Sequence, residues 1–127
     1  MGSNAYVYVP KACKSSNAKC PLHVVFHGCQ QTTADISMQY VENTAYNEVA
    51  EDNNLVILYP QAAKAMLVNP NGCWDWWGYT TSSYANKQGP QIKAVNSLIS
   101  GLKEGSLTLT PMEEDVTTTV ESYLKSY

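Results

Sequence analysis

Three short, mainly apolar runs in the first half of the chain predict three β-strands. Residues 5–9 alternate tyrosine with valine and end before Pro10, a pattern typical of a half-buried strand. Residues 22–26 and 55–59 are compact apolar runs, as expected for strands that are buried on both faces. Residues 11–21, between the first two runs, form a polar loop.

The segment between the two compact runs predicts a helical connection. Its apolar residues recur at steps of three to five between residues 34 and 52, which predicts one helix over this range with Thr33 as its N-cap. A strand, a helix and a strand within about 40 residues form a βαβ unit, with parallel strands and a right-handed crossover. The predicted fold class is therefore α/β.

The second half of the chain combines a long irregular segment with two predicted helices. Residues 61–89 show no periodic pattern, and a loop of that length inside a domain is usually functional. Pro90 is well placed to open a helix with an apolar face that runs to residue 102. A capping-box pattern at residues 110–113 predicts an amphipathic helix to residue 127, in which the acidic residues 113–115 complement the helix dipole.

Composition and charge exclude several classes of protein. The chain has 127 residues, 15% of them charged, and a net charge of -3, which fits a single folded domain and not a disordered chain. It contains no basic run, which argues against a nucleic-acid partner. No apolar stretch approaches the roughly 18 residues of a membrane span, and the start of the chain lacks the pattern of a signal peptide.

Four cysteines indicate an oxidising compartment. There is no C-x-x-C motif and only two histidines are present, so the spacing of a zinc site is not met, and we predict neither metal nor cofactor. An even number of cysteines favours two disulfides, Cys13–Cys20 and Cys29–Cys73, and hence a secreted protein. The alternatives are buried free thiols, or Cys29 as a nucleophile with His27 as its base.

The motif His27-Gly28-Cys29-Gln30 directly follows a predicted strand. Ligands of open α/β sheets bind at the carboxyl ends of strands, and a His-Gly loop at this place in α/β-hydrolases supplies a backbone N–H to the oxyanion hole. Gly28 would permit a sharp turn, and the N–H of Cys29 would then face the oxyanion. The alternative is that Gly28 merely ends the strand. His23, inside the preceding run, is predicted to be structural.

A cluster of tryptophans, Trp74, Trp76 and Trp77, lies in the long loop after a strong turn signal at residues 69–72. Three indoles in a loop rich in glycine and asparagine are difficult to bury together, so we expect an exposed aromatic platform that binds an apolar polymer or a flat substrate. The alternative is a plug in the core. Asp75 is predicted to be a hydrogen-bonding turn residue, not a catalytic acid.

The chain lacks the motifs that would complete a hydrolase. It has no Gly-x-Ser-x-Gly elbow and no phosphate-binding glycine motif. Both histidines lie on or beside one predicted strand, so no serine has a credible general base. The residues themselves therefore contain no hydrolytic triad.

Residues 5–103 resemble part of the extracellular poly(3-hydroxybutyrate) depolymerase family, which is related to feruloyl and acetylxylan esterases of the α/β-hydrolase class. The matching segments are 5–10, 22–31, 46–47, 55–61, 71–77 and 91–95. The joint occurrence of His-Gly-Cys-x-Gln and Cys-Trp-x-Trp makes the resemblance specific. It implies a three-layer fold with a mostly parallel sheet flanked by helices.

The resemblance also implies roles for individual residues. Cys29 would contribute an oxyanion-hole N–H, and the three tryptophans would lie beside the polymer-binding cleft. Members of the family carry a Ser elbow after the helix that matches residues 91–102, followed by Asp and His, whereas residues 110–127 here match nothing in that pattern. Some fungal members are circularly permuted, and this chain resembles the second half of such an enzyme.

These observations lead to one interpretation with two alternatives. We expect residues 1–104 to be a partial α/β-hydrolase segment, incomplete on its own, and residues 105–127 to be a linker and amphipathic helix. The chain would be part of a secreted polyester depolymerase, with its Ser/Asp/His triad outside these residues and possibly on a complementary chain. The alternatives are a catalytically inactive polymer-binding module and a gene remnant.

Overall fold

A computed structural model describes residues 1–112 and 120–124, with helices on both faces of one sheet. The strands are β1 (Asn4–Tyr8), β2 (Leu22–Val24), β3 (Val56–Pro60), β4 (Thr110–Pro111) and β5 (Val120–Leu124). The helices are α1 (Thr33–Ile36), α2 (Gln39–Glu42), α3 (Tyr46–Asn53) and α4 (Pro90–Glu104), and a single 3₁₀ turn spans Lys11–Cys13.

The sheet is mixed, with the strand order β2-β3-β1-β5-β4. The predicted parallel pair is present, since β2 runs parallel to β3 with Leu22 opposite Val56. The pairs of β1 with β3 and with β5, and of β4 with β5, are antiparallel. The expectation of a mostly parallel sheet is therefore wrong for the described strands. A parallel pair needs a crossover connection, and helices α1–α3 provide it between β2 and β3.

Two predictions of strand burial are reversed by the position of each strand in the sheet. Strand β1 lies between β3 and β5, where one core cluster covers Tyr6 and Tyr8 and another covers Ala5 and Val7. Both of its faces are therefore buried, although the alternation of tyrosine and valine predicted a solvated face. Strand β2 lies at the edge, where His23 is exposed and Val24 is only half-buried, although the apolar run predicted full burial. Apolar runs indicate strands, but they do not determine which strand is central.

The predicted single helix of residues 34–52 is three short helices. Ser37 and Ala45 have φ angles of 52° and 63°, and both interrupt the helical path. Local side-chain bonds compete with the helix there, since the Thr44 hydroxyl donates to the Tyr40 carbonyl at 2.8 Å. The first helix begins one residue earlier than predicted, because Thr32 is its N-cap and forms a capping box with Asp35.

The core has two parts, one on each face of the sheet. Tyr6, Tyr8 and Tyr59 pack with Val41 and Ala50 beneath the short helices. On the other face, Val7 and Leu58 pack against Leu98 of α4. Helix α4 begins with Pro90 at its first turn, as predicted, and Val95 and Leu98 lie on its buried face while Ile92 is exposed. The described chain is thus a three-layer α/β arrangement.

The predicted C-terminal helix is wrong where the structure describes it. Thr110–Pro111 and Val120–Leu124 are strands, and β5 pairs with β1 along its whole length. One cause is the free edge of β1, because its unpaired backbone groups can bond to another strand. A second is the strand propensity of β-branched residues such as Val120. The predicted helix start with its acidic residues at 113–115 lies outside the described residues.

No described helix is long and apolar enough to cross a membrane.

Candidate functional site

The turn after β2 is fixed from three sides. The chain continues past Val24 with one more sheet bond, in which the Val25 N–H donates to the Leu58 carbonyl at 2.9 Å. The Tyr40 hydroxyl donates to the Phe26 carbonyl at 2.9 Å, and the Trp74 indole N–H donates to the His27 carbonyl at 3.1 Å. The sheet, the helical layer and the tryptophan loop therefore all hold this segment.

His27 is a structural residue in this turn. Its ring is buried, with Nδ1 at 2.7 Å from the Gly28 carbonyl and Nε2 at 3.0 Å from the Ala62 N–H. These partners assign the neutral tautomer, in which Nδ1 donates and Nε2 accepts. Burial lowers the pKa of His27, in keeping with a neutral ring. Both nitrogens are occupied, so His27 is not available as a base, while His23 is exposed and stacks on Tyr46.

The backbone of Gly28 and Cys29 lies at the surface of the turn. In this turn the positive φ, 59°, belongs to Gln30 and not to Gly28. The Gly28 N–H donates to Gln31 Oε1 at 2.7 Å. Among residues 1–112 and 120–124, no acceptor is bonded to the N–H of Cys29, which lies in an exposed turn.

Both predicted disulfides are present. Cys13–Cys20 closes the polar loop, and Cys29–Cys73 joins the turn after β2 to the tryptophan loop. The second connection is reinforced by Gln30, whose N–H donates to the Asn71 carbonyl at 2.7 Å. With its sulfur in a disulfide, Cys29 is not a thiolate nucleophile.

The three tryptophans occupy different environments. Trp76 and Trp77 are 72% and 43% exposed, and their rings meet at 5.3 Å. Trp74 is half-buried, and its ring lies 5.1 Å from that of Phe26 and 5.4 Å from that of His27. Trp74 therefore differs from the exposed pair. Its indole N–H holds the turn after β2, whereas the rings of Trp76 and Trp77 face solvent.

An open groove of about 750 Å³ runs between the tryptophan loop and α4. Its apolar wall includes Phe26, Trp74 and Trp76, and the helix contributes Val95 and Ile99. Cys29 and Cys73 connect the two segments of chain that border it. The turn after β2 and the aromatic residues therefore share one end of the sheet, the carboxyl end of β2, where α/β folds bind ligands.

Asp75 is a hydrogen-bonding turn residue, as predicted, and it shapes the loop that carries the exposed indoles. Its carboxylate accepts hydrogen bonds from the N–H groups of residues 77–80 and from the Thr80 hydroxyl. Burial tends to raise the pKa of Asp75, but these bonds lower it overall. The carboxylate is therefore ionised and fully engaged.

The described residues contain no group of His, Cys, Asp or Glu side chains that could hold a metal ion. Two carboxylates near this end of the sheet are Asp75, which is bonded to its own loop, and Asp35, which caps α1 and pairs with Lys64. Neither faces a second carboxylate. Within residues 1–112 and 120–124, the arrangement thus combines an exposed backbone N–H with an aromatic surface and contains no paired side-chain acid and base.

A sequence model of the esterase PHB depolymerase family matches residues 3–104 of this chain. The chain belongs to that family. The described fold agrees with the match, since the turn after β2, the tryptophan loop and α4 all lie within the matched residues. Strands β4 and β5 lie outside it.

Relatives within the family are much longer than this chain. A poly(3-hydroxybutyrate) depolymerase of Delftia acidovorans is 45% identical over 112 residues, which cover 87% of this chain and 22% of the relative. A polyhydroxybutyrate depolymerase of Talaromyces funiculosus is 38% identical over 115 residues, which cover 83% and 34%. The chain therefore spans between about a fifth and a third of the length of these relatives.

Solved structures of the family superimpose on the fold. The crystal structure of PHB depolymerase from Penicillium funiculosum matches with a TM-score of 0.73 and 39% identity, over 75% of this chain and 33% of that one. A PHB depolymerase variant in complex with an R3HB trimer matches with the same TM-score and coverage. The second structure thus shows a relative with an R3HB trimer bound.

Sequence reasoning missed the polar residues that support the tryptophan loop. Gln91 and Asn69 are buried, and both bond to the Tyr79 hydroxyl, at 2.7 and 3.0 Å. In the sequence, Asn69 is part of a turn signal and Gln91 is part of the segment 91–95 that resembles the family. Their burial is set by how α4 packs on the loop, which no local pattern indicates.

Proposed function

We propose that this chain is part of a secreted polyester depolymerase, a carboxylic ester hydrolase, and that it supplies oxyanion-stabilising and substrate-binding residues. The observation that carries the proposal is the N–H of Cys29, which lies in an exposed turn and has no acceptor among the described residues. A disulfide joins Cys29 to Cys73, the residue before Trp74 of the groove wall. A backbone donor in such a place stabilises a developing oxyanion, and loss of one such donor typically costs on the order of 3 kcal/mol in the transition state.

The nucleophile and its base come from outside these residues in this proposal. His27 uses both ring nitrogens within the fold, His23 stacks on Tyr46 at the sheet edge, and the sequence has no Gly-x-Ser-x-Gly elbow. The chain is accordingly an incomplete α/β-hydrolase domain. Residues 1–104 form the depolymerase-like segment and residues 105–127 an extension, in agreement with a family match that ends at residue 104.

The outer edge of β2 is where the missing part would join. Strand β2 is the first in the sheet order, so one of its edges has no neighbouring strand among the described residues. Phe26, two residues after its end, is 50% exposed. A nucleophile must lie close to the oxyanion donor, so a strand that carries it at its carboxyl end would pair with β2 in parallel. The triad then arrives next to Cys29.

The substrate in this proposal is an aliphatic polyester of the poly(3-hydroxybutyrate) type. The groove is mainly apolar, and its aromatic wall offers flat surfaces to a chain of ester and methyl groups. The names of the relatives and the R3HB trimer in a similar structure support this class of substrate. Secretion is supported by the two disulfides.

Adsorption to poly(3-hydroxybutyrate) granules tests the binding role. We expect the chain to sediment with the granules, and Trp76→Ala to weaken this binding because 72% of that side chain is exposed for contact. Val49→Ala is the matched control, since Val49 is also exposed, at 54%, but lies on α3, in the layer on the opposite face of the sheet from α4. Equal adsorption of wild type and Trp76→Ala would contradict the proposed binding surface.

A catalytically inactive polymer-binding module is the second candidate. It is favoured by the same absence of a triad from the sequence, because the tryptophan surface needs no nucleophile in order to bind. The two candidates differ in one outcome. A depolymerase part gains esterase activity when a segment with the triad is added, whereas a binding module does not.

A further inference from the structure

The loop after Cys73 is built around a single carboxylate. Asp75 Oδ1 accepts from the N–H groups of Trp77, Gly78 and Tyr79 at 3.2, 2.6 and 3.1 Å. Asp75 Oδ2 accepts from the N–H and the hydroxyl of Thr80, at 2.8 and 2.5 Å. Four consecutive backbone donors therefore converge on one side chain, and the chain from residue 76 to residue 80 has to wrap around it.

The wrapped loop is also attached to helix α4. Gln91 Oε1 accepts from the Asp75 N–H at 2.8 Å, and Gln91 Nε2 donates to the Tyr79 hydroxyl at 2.7 Å. That hydroxyl in turn donates to the Cys73 carbonyl at 3.0 Å. Buried Gln91 thus connects the start of the loop to its end, and the disulfide at Cys73 anchors the start to the turn after β2.

The consequence is that two large apolar side chains are held out in solvent. The Trp77 ring lies between those of Tyr79, at 4.8 Å, and Trp76, at 5.3 Å, so the orientation of Trp76 depends on the path of residues 77–80. A surface that is rigid before binding avoids the entropic cost of ordering its side chains. Without this support, the exposed indoles would tend to turn toward other apolar surface and leave solvent.

We propose that Asp75 is a positioning residue, whose ionised carboxylate holds Trp76 and Trp77 in the conformation that binds the polyester. This inference rests on the proposed function, because the ligand it names is the substrate proposed there. Asp75 does not touch the reacting atoms. It acts through the backbone of residues 77–80.

Ionisation of Asp75 makes the arrangement sensitive to acid. A protonated carboxyl keeps one good acceptor oxygen and gains a donor, which faces the donors of Thr80. Other titratable residues beside the loop are Tyr79, whose pKa is raised by burial, and Tyr84, whose ring lies against Gly78. Lys93 and the Met1 amino group line an adjacent cavity of about 380 Å³ with Thr80 and Gln91. Because its pKa is raised, Tyr79 stays neutral in the acid range. The pKa of the Met1 amino group is lowered by burial from that of an ordinary terminal amine.

The test follows the tryptophans directly as a function of pH. Near-ultraviolet circular dichroism reports the packing of the indoles, far-ultraviolet dichroism reports the fold, and granule sedimentation reports binding. In the wild type we expect the indole signal and the binding to fall together in acid while the far-ultraviolet signal is retained. In Asp75→Asn we expect the altered indole signal already at pH 7, no pH transition, and about tenfold weaker binding.

A second variant separates positioning from a general loss of structure. Thr80→Val removes the hydroxyl donor to Oδ2 and leaves the four N–H donors in place, so the pKa of Asp75 should rise and the transition should move to higher pH. Asp35→Asn is the control, because Asp35 is also a hydrogen-bonded carboxylate with a lowered pKa, held by Lys64 and by Thr32 of the first-helix cap. It should keep the wild-type indole transition.

Each outcome decides the proposal. A transition that persists in Asp75→Asn, or does not move in Thr80→Val, would overturn it. If Asp75→Asn does not fold, Thr80→Val alone carries the test. If the wild type fails to bind granules but its indole signal follows Asp75, the substrate assignment is wrong and the loop mechanism stands. If it binds granules with no such dependence, the positioning role is wrong.

Discussion

At the scale of single residues, buried polar side chains distinguish this structure from its sequence pattern. Tyr59 lies at the end of a predicted apolar strand and has no exposed surface, and its hydroxyl donates to Asn47 Oδ1 at 2.7 Å. Asn47 in turn donates to the Val41 carbonyl at 2.9 Å. The pair connects β3 to the helical layer inside the core. Burial raises the pKa of Tyr59, so its hydroxyl remains a donor.

Tyr59→Phe should lower the free energy of unfolding by about 1–3 kcal/mol, because it leaves the buried acceptor of Asn47 without a partner. Tyr46→Phe is the control, since Tyr46 is 39% exposed and its ring contacts only the surface residue His23 among the ring pairs of the described chain. Urea unfolding of both variants measures the difference. Equal stabilities would show that water replaces the Tyr59 hydroxyl.

His27 predicts a pH dependence of stability. Its pKa is lowered in the folded state by burial, so the unfolded state binds more protons in the range between the two pKa values. Stability from this group is therefore present above the unfolded value, about 6.5, and is lost as the pH falls through the folded one. Urea unfolding at pH 7.5 and 5.5 should show a smaller loss in His27→Gln than in wild type. An identical loss in both would contradict a His27 ring that is kept neutral in the folded state.

At the scale of elements, the first helix and the tryptophan loop support each other at one tight contact. Gly72 has a φ of +60°, and a Cβ placed on it would lie 2.7 Å from Cγ2 of Thr32, the N-cap of α1. The turn signal at residues 69–72 was readable from the sequence because glycine tolerates a left-handed backbone. The contact with Thr32 was not, because it joins segments 40 positions apart in the chain.

Gly72→Ala should therefore destabilise the protein by more than the roughly 1 kcal/mol that left-handed backbone strain costs a residue with a side chain. Gly105→Ala is the matched control, since Gly105 has a φ of +64° with nothing within 4 Å of the added carbon. Thermal or urea unfolding of both variants separates strain from crowding. If Gly72→Ala costs no more than Gly105→Ala, the loop moves away from Thr32 without loss.

At the scale of the whole molecule, two disulfides of different span hold the chain. Cys13–Cys20 joins positions seven residues apart and Cys29–Cys73 joins positions 44 apart. A crosslink removes more entropy from the unfolded chain when its loop is longer. The longer disulfide also joins the turn that contains Cys29 to the loop that carries the exposed indoles.

Replacement of Cys29 and Cys73 together by alanine should thus cost more stability, about 4 kcal/mol, than replacement of Cys13 and Cys20, about 2.5 kcal/mol. Urea unfolding of the two double variants gives the comparison. We also expect only the first pair of substitutions to reduce granule adsorption. A larger effect from the short loop would show that the folded state, not the unfolded chain, determines the difference.

The sequence allowed the local chemistry to be predicted and left the arrangement of the sheet undetermined. The βαβ unit, the helix that begins at Pro90, the exposure of Trp76 and both cysteine pairs were predictable, since each follows from a local pattern or from a small set of possible partners. The central place of β1 and the edge position of β2 were not, because burial on two faces depends on neighbours. The C-terminal residues carried a helical pattern that strand pairing with β1 overrode.

Ester hydrolysis in the presence and absence of a complementary segment tests the central claim most directly. The full chain is assayed with p-nitrophenyl butyrate alone and together with a polypeptide that carries the Ser, Asp and His part of a related depolymerase, with the same polypeptide alone as control. We predict no turnover by either component and measurable turnover by the mixture. Turnover by this chain alone would contradict the claim that its nucleophile lies elsewhere, and an inactive mixture of folded components would contradict its role as part of an esterase.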